Sequence, residues 1–288
     1  GVGMFMVLAS KFPGNQFGFL HGIMVTLGGI GGRAATDPLA FTVERFGWEN
    51  TFVGLALFTA ILAAAIFLTS QKDPVAEENV EKVTFLALLK NRKIQPILVM
   101  GFVTWAPITC ITGLWGGPYF KAVHGLSLEE TGLYQALFFC ATMASGTAFG
   151  LIDKWLPVSR YAVILTAALF STGCLAALAL SSGISHWTAI LLLLGMIFTQ
   201  QFYVPLIAQL RDIVPEAAIG RATSLYTIVA VAAIPPFQTL SGKVIEHSGD
   251  LPDETKYQLA FAMMAGMILL PTLIFALSKH AKPSQGAA

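Results

Sequence analysis

The chain has 288 residues, of which 55% are hydrophobic and only 11% are charged, and its formal net charge is +1. Soluble domains carry about 25% charged residues, so this composition excludes an ordinary soluble protein and offers no basic surface for nucleic acid. The three cysteines, Cys110, Cys140 and Cys174, lie in apolar runs without a Cys-x-x-Cys pair or a histidine at ligand spacing. We therefore expect no metal site and no cofactor.

Long apolar runs, separated by short charged hinges, fill nearly the whole chain, and residues 51–68 contain no ionisable group. About 20 apolar residues in a helix cross a bilayer, where lipid offers the backbone no hydrogen-bond partner. The pattern predicts an all-α polytopic membrane protein. We predict a partial span at 1–10 and complete spans at 16–43, 50–70, 94–120, 130–152, 160–182, 187–210, 218–245 and 257–278.

A long hydrophilic stretch, residues 71–93, interrupts these runs. Within it Val83, Leu86 and Leu89 recur at helical spacing, which predicts a short helix on the membrane surface. The loops on the same side as this stretch hold twelve Lys and Arg residues, against four on the other side. The positive-inside rule then places 71–93 and the C-terminus in the cytoplasm, with the protein in the inner (plasma) membrane.

A short internal repeat indicates two halves. Pro13 and Gly18 precede a long helix, and Pro215 and Gly220 do so again about 200 residues later, which corresponds to six spans and their loops. Parallel repeats of this kind are typical of one large class of transporter. We predict that 1–70 is the remainder of an N-terminal half, 71–93 the central loop and 94–288 a six-helix C-terminal half.

Several motifs together resemble those of the major facilitator superfamily: Phe12-Pro13 with Gly18, Gly28 to Gly32, Gly47-Trp48, Gly113 to Tyr119, Asp153-Lys154 with Arg160, and Pro215 with Gly220 to Ala222. The resemblance covers the chain from the family's fourth helix to its twelfth, so the first three helices would precede Gly1. It implies a helical bundle and a secondary transporter that alternates access to a central cavity by rocking its two halves.

The first span of the predicted C-terminal half contains residues that loosen or break a helix, namely Pro107, Gly113, Gly116, Gly117 and Pro118. Trp105, Thr109 and Thr112 fall within about 60° of one another on this helix. Gln200 and Tyr203 cluster in the span at 187–210. The resemblance implies that these two helices line the substrate cavity, so all five are candidate substrate contacts. The alternative is that they only form hydrogen bonds between helices.

Arg33 and Asp37 are charged residues placed deep in a predicted span, four residues apart and therefore on one helix face. One interpretation is a permanent structural ion pair. The other is a coupling switch, in which an anionic substrate or a proton competes with Asp37 for Arg33. We include both residues among the candidate substrate-binding residues.

The loop Asp153 to Arg160 is the candidate gate. The resemblance implies that Asp153 closes the cytoplasmic side by docking near the start of a helix in the other half, here close to Gly18. Asp153, Lys154, Arg160, Gly18, Gly220 and Arg221 are the candidate gating residues. The alternative is that Asp153 is a solvated loop charge.

Together these observations predict a secondary active transporter of a small solute, and not an enzyme. Arg33 favours an organic anion, and a proton is a candidate co-substrate. Two alternatives stay open: an exporter of lipophilic compounds, and a non-transporting membrane sensor or scaffold. The expected partners are the substrate and the lipid bilayer, with no nucleic acid, and the expected state is a monomer.

Overall fold

The computed structural model describes residues 19–20, 23–24, 27–28, 37–69 and 84–278. In these residues helix is the only regular secondary structure, as the long apolar runs predict. The chain divides into two compact units, one formed by Leu27–Lys82 and the other by Gly1–Thr26 together with Val83–Ala288. The predicted partial span at 1–10, and the candidate residues Gly18 and Arg33, lie outside the described residues.

In residues 37–69 the smaller unit forms helices α1 (Asp37–Phe46) and α2 (Trp48–Thr69). Gly47 separates them with a φ of 80°, a left-handed conformation that glycine adopts readily. Helix α2 is apolar on all sides, and its side chains from Phe52 to Leu68 are exposed in this unit. Such a helix is stable in contact with lipid or with other membrane helices, and not in water.

The larger unit is built from α3 (Phe85–Lys90), α4 (Gln95–Gly101), α5 (Ala106–Cys110), a π-helical segment (Ile111–Trp115), α6 (Gly116–His124), α7 (Leu128–Trp155), α8 (Arg160–Leu180), α9 (His186–Thr199), a 3₁₀ turn (Gln200–Phe202), α10 (Tyr203–Ile213), a second 3₁₀ turn (Glu216–Ala218), α11 (Ile219–Ala232), α12 (Ile234–His247) and α13 (Asp253–Leu277). Helices α8 and α13 pack along their length, and α8 also packs against α9.

Seven helical stretches in the described residues are long and apolar enough to cross a membrane: Trp48–Leu68, Gln95–His124, Leu128–Trp155, Arg160–Leu180, His186–Ile213, Glu216–His247 and Asp253–Leu277. They correspond to seven of the predicted spans, with ends that differ by a few residues. Three of these spans consist of more than one helix. Two of these interrupted spans, Gln95–His124 and His186–Ile213, are called span 95–124 and span 186–213 below.

Serine caps determine where several of these helices begin. The hydroxyl of Ser127 accepts from the backbone N–H of Glu130, and the Glu130 carboxylate accepts from the backbone N–H of Ser127. This capping box satisfies two of the N–H groups that the first turn of a helix leaves without a partner. Ser159 and Ser185 cap α8 and α9 through one such bond each.

Candidate functional site

Span 95–124 is broken twice, as its prolines and glycines predict. Helix α4 ends at Gly101, a turn follows, and α5 begins at Ala106. Pro107 has no N–H, so it cannot donate to the carbonyl of Val103, four residues earlier. The turn therefore leaves the Val103 carbonyl without its helical partner.

Gln200 supplies that partner from another span. Its side-chain Nε2 donates to the Val103 carbonyl at 2.9 Å, and the Gln200 side chain is buried. Gln200 opens the 3₁₀ turn at which span 186–213 is interrupted. Pro205 explains this second break, because it cannot donate to the carbonyl of Gln201. The two proline-associated breaks thus lie side by side, and a side chain at one satisfies the backbone at the other.

Aromatic contacts also join the two breaks. The rings of Trp105 and Tyr203 meet edge to face, with centroids 5.7 Å apart. Behind them the hydroxyl of Tyr226 donates to Oγ1 of Thr104 at 3.0 Å. A β-carbon on Gly101 would lie only 2.9 Å from Cε2 of Tyr226, so glycine at this position lets the buried tyrosine ring approach the break.

The π-helical segment forms the second break in span 95–124. The N–H of Gly116 donates to the carbonyl of Ile111, five residues earlier. A β-carbon on Gly116 would lie 2.6 Å from that carbonyl oxygen and 2.8 Å from Nε2 of Gln135 in α7. Trp115, at the end of the segment, donates from Nε1 to the Ser241 hydroxyl at 2.7 Å. Gln135 and Ser241 carry no local sequence signal for this role, because each is far along the chain from the segment that it contacts.

Several polar groups at these breaks are buried hydrogen-bond acceptors without a partner among the residues described. The hydroxyl of Thr109 donates to the carbonyls of Trp105 and Ala106, and that of Thr112 donates to Ile108 at 2.8 Å. Both hydroxyls have therefore used their donors, although both side chains stay half-buried. In the described residues the side-chain carbonyl oxygens of Gln135, Gln200 and Gln201 are buried and accept no hydrogen bond. Because the Val103 carbonyl can only accept, Nε2 of Gln200 must face it, which identifies the free atom of Gln200 as the oxygen.

The predicted substrate contacts are thus partly brought together. Trp105, Gln200 and Tyr203 meet at the two breaks, and Thr109 and Thr112 follow along the same span. The hydroxyls of Thr109 and Thr112 bond to their own helix, whereas Gln200 forms a hydrogen bond between helices of the kind that the alternative expects. Asp37 is the first residue of α1, and its pairing with Arg33 lies outside the described residues. In the part of the chain that the structure describes, no group of three or more His, Cys, Asp or Glu side chains could hold a metal ion.

A charged cluster joins three helix ends in the larger unit. Arg160, at the start of α8, donates from Nη2 to Oδ2 of Asp153 at 2.9 Å and from Nε to the other oxygen of the same carboxylate. From Nη1 it donates to Asp212, near the end of α10. The Asp153 side chain is 2% exposed, so it is a buried and paired carboxylate. Asp212 is a member that the sequence analysis missed, since nothing local connects it with a loop 52 residues earlier.

The other candidate gating residues that the structure describes, Lys154, Gly220 and Arg221, lie near helix ends. Nζ of Lys154 is 4.5 Å from the centre of the Phe19 ring, so this loop contacts the residue next to Gly18. Gly220 and Arg221 lie in the first turn of α11. Both carboxylate oxygens of Asp153 accept from Arg160, and the predicted docking site near Gly18 is outside the described residues. Docking of Asp153 onto a helix start remains a prediction.

Comparison with known proteins decides the family. The family model of the Major Facilitator Superfamily matches residues 2–237. The chain belongs to the major facilitator superfamily. The fold of this superfamily member is similar to a bacterial homologue of the iron transporter ferroportin, solved in an outward-facing state, with a TM-score of 0.69 and 15% identity over 93% of this chain. The chain spans 65% of the length of that structure. No curated protein matches the chain.

Proposed function

We propose that this major facilitator chain belongs to a secondary active transporter that moves a small solute by alternating access, in the inner membrane and with its C-terminus in the cytoplasm. The observation that supports the proposal is the pair of adjacent breaks in spans 95–124 and 186–213. Irregular backbone at membrane depth is tolerated where it is buried in protein or lines a cavity, and transporters place their substrate sites at such breaks.

The proposed substrate contacts are the half-buried Trp105, Thr109 and Thr112, with Gln200 and Tyr203 behind them. The amide oxygens of Gln200 and Gln201 can accept hydrogen bonds, which favours a solute with donors such as hydroxyl or ammonium groups. Trp105 offers an aromatic face for the apolar part of the solute. Arg33, a cation that the sequence places deep in a span, favours a solute with a negative group such as a carboxylate.

Transport measured with the complete protein in proteoliposomes tests this proposal. The panel contains carboxylates with and without hydroxyl or amino groups, and lipophilic cationic dyes. Uptake or efflux of the donor-bearing carboxylates supports the proposal, whereas transport of the dyes alone supports a lipophilic-compound exporter. Inactivity with both sets would contradict transport and favour a sensor or scaffold.

Two substitutions then test the proposed contacts one at a time. Trp105→Ala should lower transport with little effect on the amount of folded protein. Arg33→Gln should abolish binding of carboxylates while insertion stays normal, with partial retention in Arg33→Lys. If Arg33→Gln instead lowers the folded yield and the double neutral variant with Asp37→Asn restores it, the pair is structural and the anion preference is wrong.

A further inference from the structure

An apolar groove of about 480 Å³ lies at the end of the larger unit that carries α3. Its walls come from α3, from the beginning of span 95–124, from α11 and from the end of α13. The lining includes Leu89, Val99, Phe102, Val229, Leu270 and Ile274, and none of the lining side chains is polar. The groove shares only Phe102 with the breaks proposed to face the solute, and its volume suits a hydrocarbon chain.

Three cations stand beside this groove. Lys90 follows the lining residue Leu89, and Arg92 and Lys93 come two and three residues later. A tight turn holds them there, because the N–H of Lys93 donates to Oδ1 of Asn91 at 2.9 Å and Nε2 of Gln95 donates to the carbonyl of Leu89 at 3.0 Å. All three cationic side chains are exposed, and none forms an ion pair with any residue that the structure describes.

The exposed residues of α3 indicate the depth of this turn in the membrane. Leu88 points into the core and is 3% exposed, whereas Phe85 and Leu86 are 46% and 60% exposed. A short helix with exposed apolar side chains and a cationic end is typical of the boundary between acyl chains and headgroups. The cations Lys90, Arg92 and Lys93 therefore lie at headgroup level, with the apolar groove beside them.

We propose that the groove binds an acyl chain of an anionic phospholipid, and that Lys90, Arg92 and Lys93 hold its phosphate-bearing headgroup. Burying an acyl chain in a groove gives little net gain, because the surrounding lipid is equally apolar. Selectivity must therefore come from the headgroup, and each cation close to an anionic membrane surface contributes about fivefold in affinity. The groove determines where the lipid sits, and the charges determine which lipid it is.

Native mass spectrometry of the complete protein tests the proposal, with dioleoylphosphatidylglycerol and dioleoylphosphatidylcholine supplied in equal amounts. These lipids share acyl chains and differ in headgroup charge. We expect retention of at least one phosphatidylglycerol at a ratio on the order of 100-fold over phosphatidylcholine, because each of the three cations contributes about fivefold. Lys90→Gln with Lys93→Gln should lower that ratio about 25-fold, to about the fivefold preference that Arg92 alone supplies. The matched control is Lys121→Gln with Lys243→Gln, which removes the same charge at the other end of the spans and should leave the ratio unchanged.

A second variant tests the groove itself. Val99→Trp fills the groove and keeps all three cations, so it should remove the tightly held phosphatidylglycerol, while Val99→Leu should retain it. Leu270→Phe replaces Val99→Trp if the latter does not fold. Equal retention of the two lipids by the wild-type protein would overturn the proposal. So would a phosphatidylglycerol preference that loss of Lys90 and Lys93 leaves unchanged, or a lipid-free dimer in which a second copy occupies the groove.

Discussion

Replacing Gln200 with methionine should destabilise the protein through the backbone of another span. The substitution conserves volume but removes the Nε2 donor to the Val103 carbonyl, which Pro107 leaves without a helical partner. Leaving a buried carbonyl unpaired costs about 1–3 kcal/mol. The variant also removes the unpartnered Oε1 of Gln200, which offsets part of this cost. We expect a net loss of about 1 kcal/mol in the free energy of unfolding, within the range for hydrogen bonds between membrane helices.

The neighbouring residue provides the control for this prediction. Gln201 is also buried and also has a carbonyl oxygen without a partner, but its side chain makes no hydrogen bond to the described residues. Gln201→Met should therefore be neutral or slightly stabilising. Both variants can be measured by unfolding in mixed detergent and dodecyl sulfate micelles, followed by tryptophan fluorescence.

A double-mutant cycle with Pro107 tests whether the proline is the reason that the Val103 carbonyl needs the Gln200 side chain. Pro107→Ala restores a backbone N–H that can donate to the Val103 carbonyl, so the Gln200 side chain is no longer needed there. We expect Gln200→Met to cost about 1 kcal/mol in the wild-type background and close to nothing in Pro107→Ala. An equal loss in both backgrounds would refute the idea that the proline creates the need for Gln200.

Two further substitutions have expected outcomes. Asp153→Asn weakens the pair with Arg160 and should shift the resting population toward the inward-open state by on the order of 1 kcal/mol. A cysteine placed beside Gly18 should then be labelled faster from the cytoplasm, and an unchanged labelling rate would contradict the gating role. Gly101→Ala puts a β-carbon 2.9 Å from the Tyr226 ring and should lower the free energy of unfolding by about 1–3 kcal/mol. The control Gly266→Ala, whose β-carbon would meet nothing within 4 Å, should be neutral or stabilising. Equal effects of the two variants would rule out the close approach of Tyr226 to Gly101.

The sequence alone determined the features that depend on one helix at a time. Seven spans were predicted to within a few residues, because the length of an apolar run needed to cross a bilayer is a local property. The break near Pro107 was predictable for the same reason, since a missing N–H acts on a carbonyl four residues away. The motifs also predicted the family correctly.

Only the tertiary structure decided which side chains satisfy these local defects. Gln200 reaches Val103 across 97 residues, and Tyr226 reaches Thr104 across 122. Asp212 joins Arg160 in the same way, although its own neighbourhood in the chain predicts nothing of the kind. Such pairs depend on the angles and the depth at which helices cross. Those are set by packing over many residues at once, so no local pattern in the sequence specifies them.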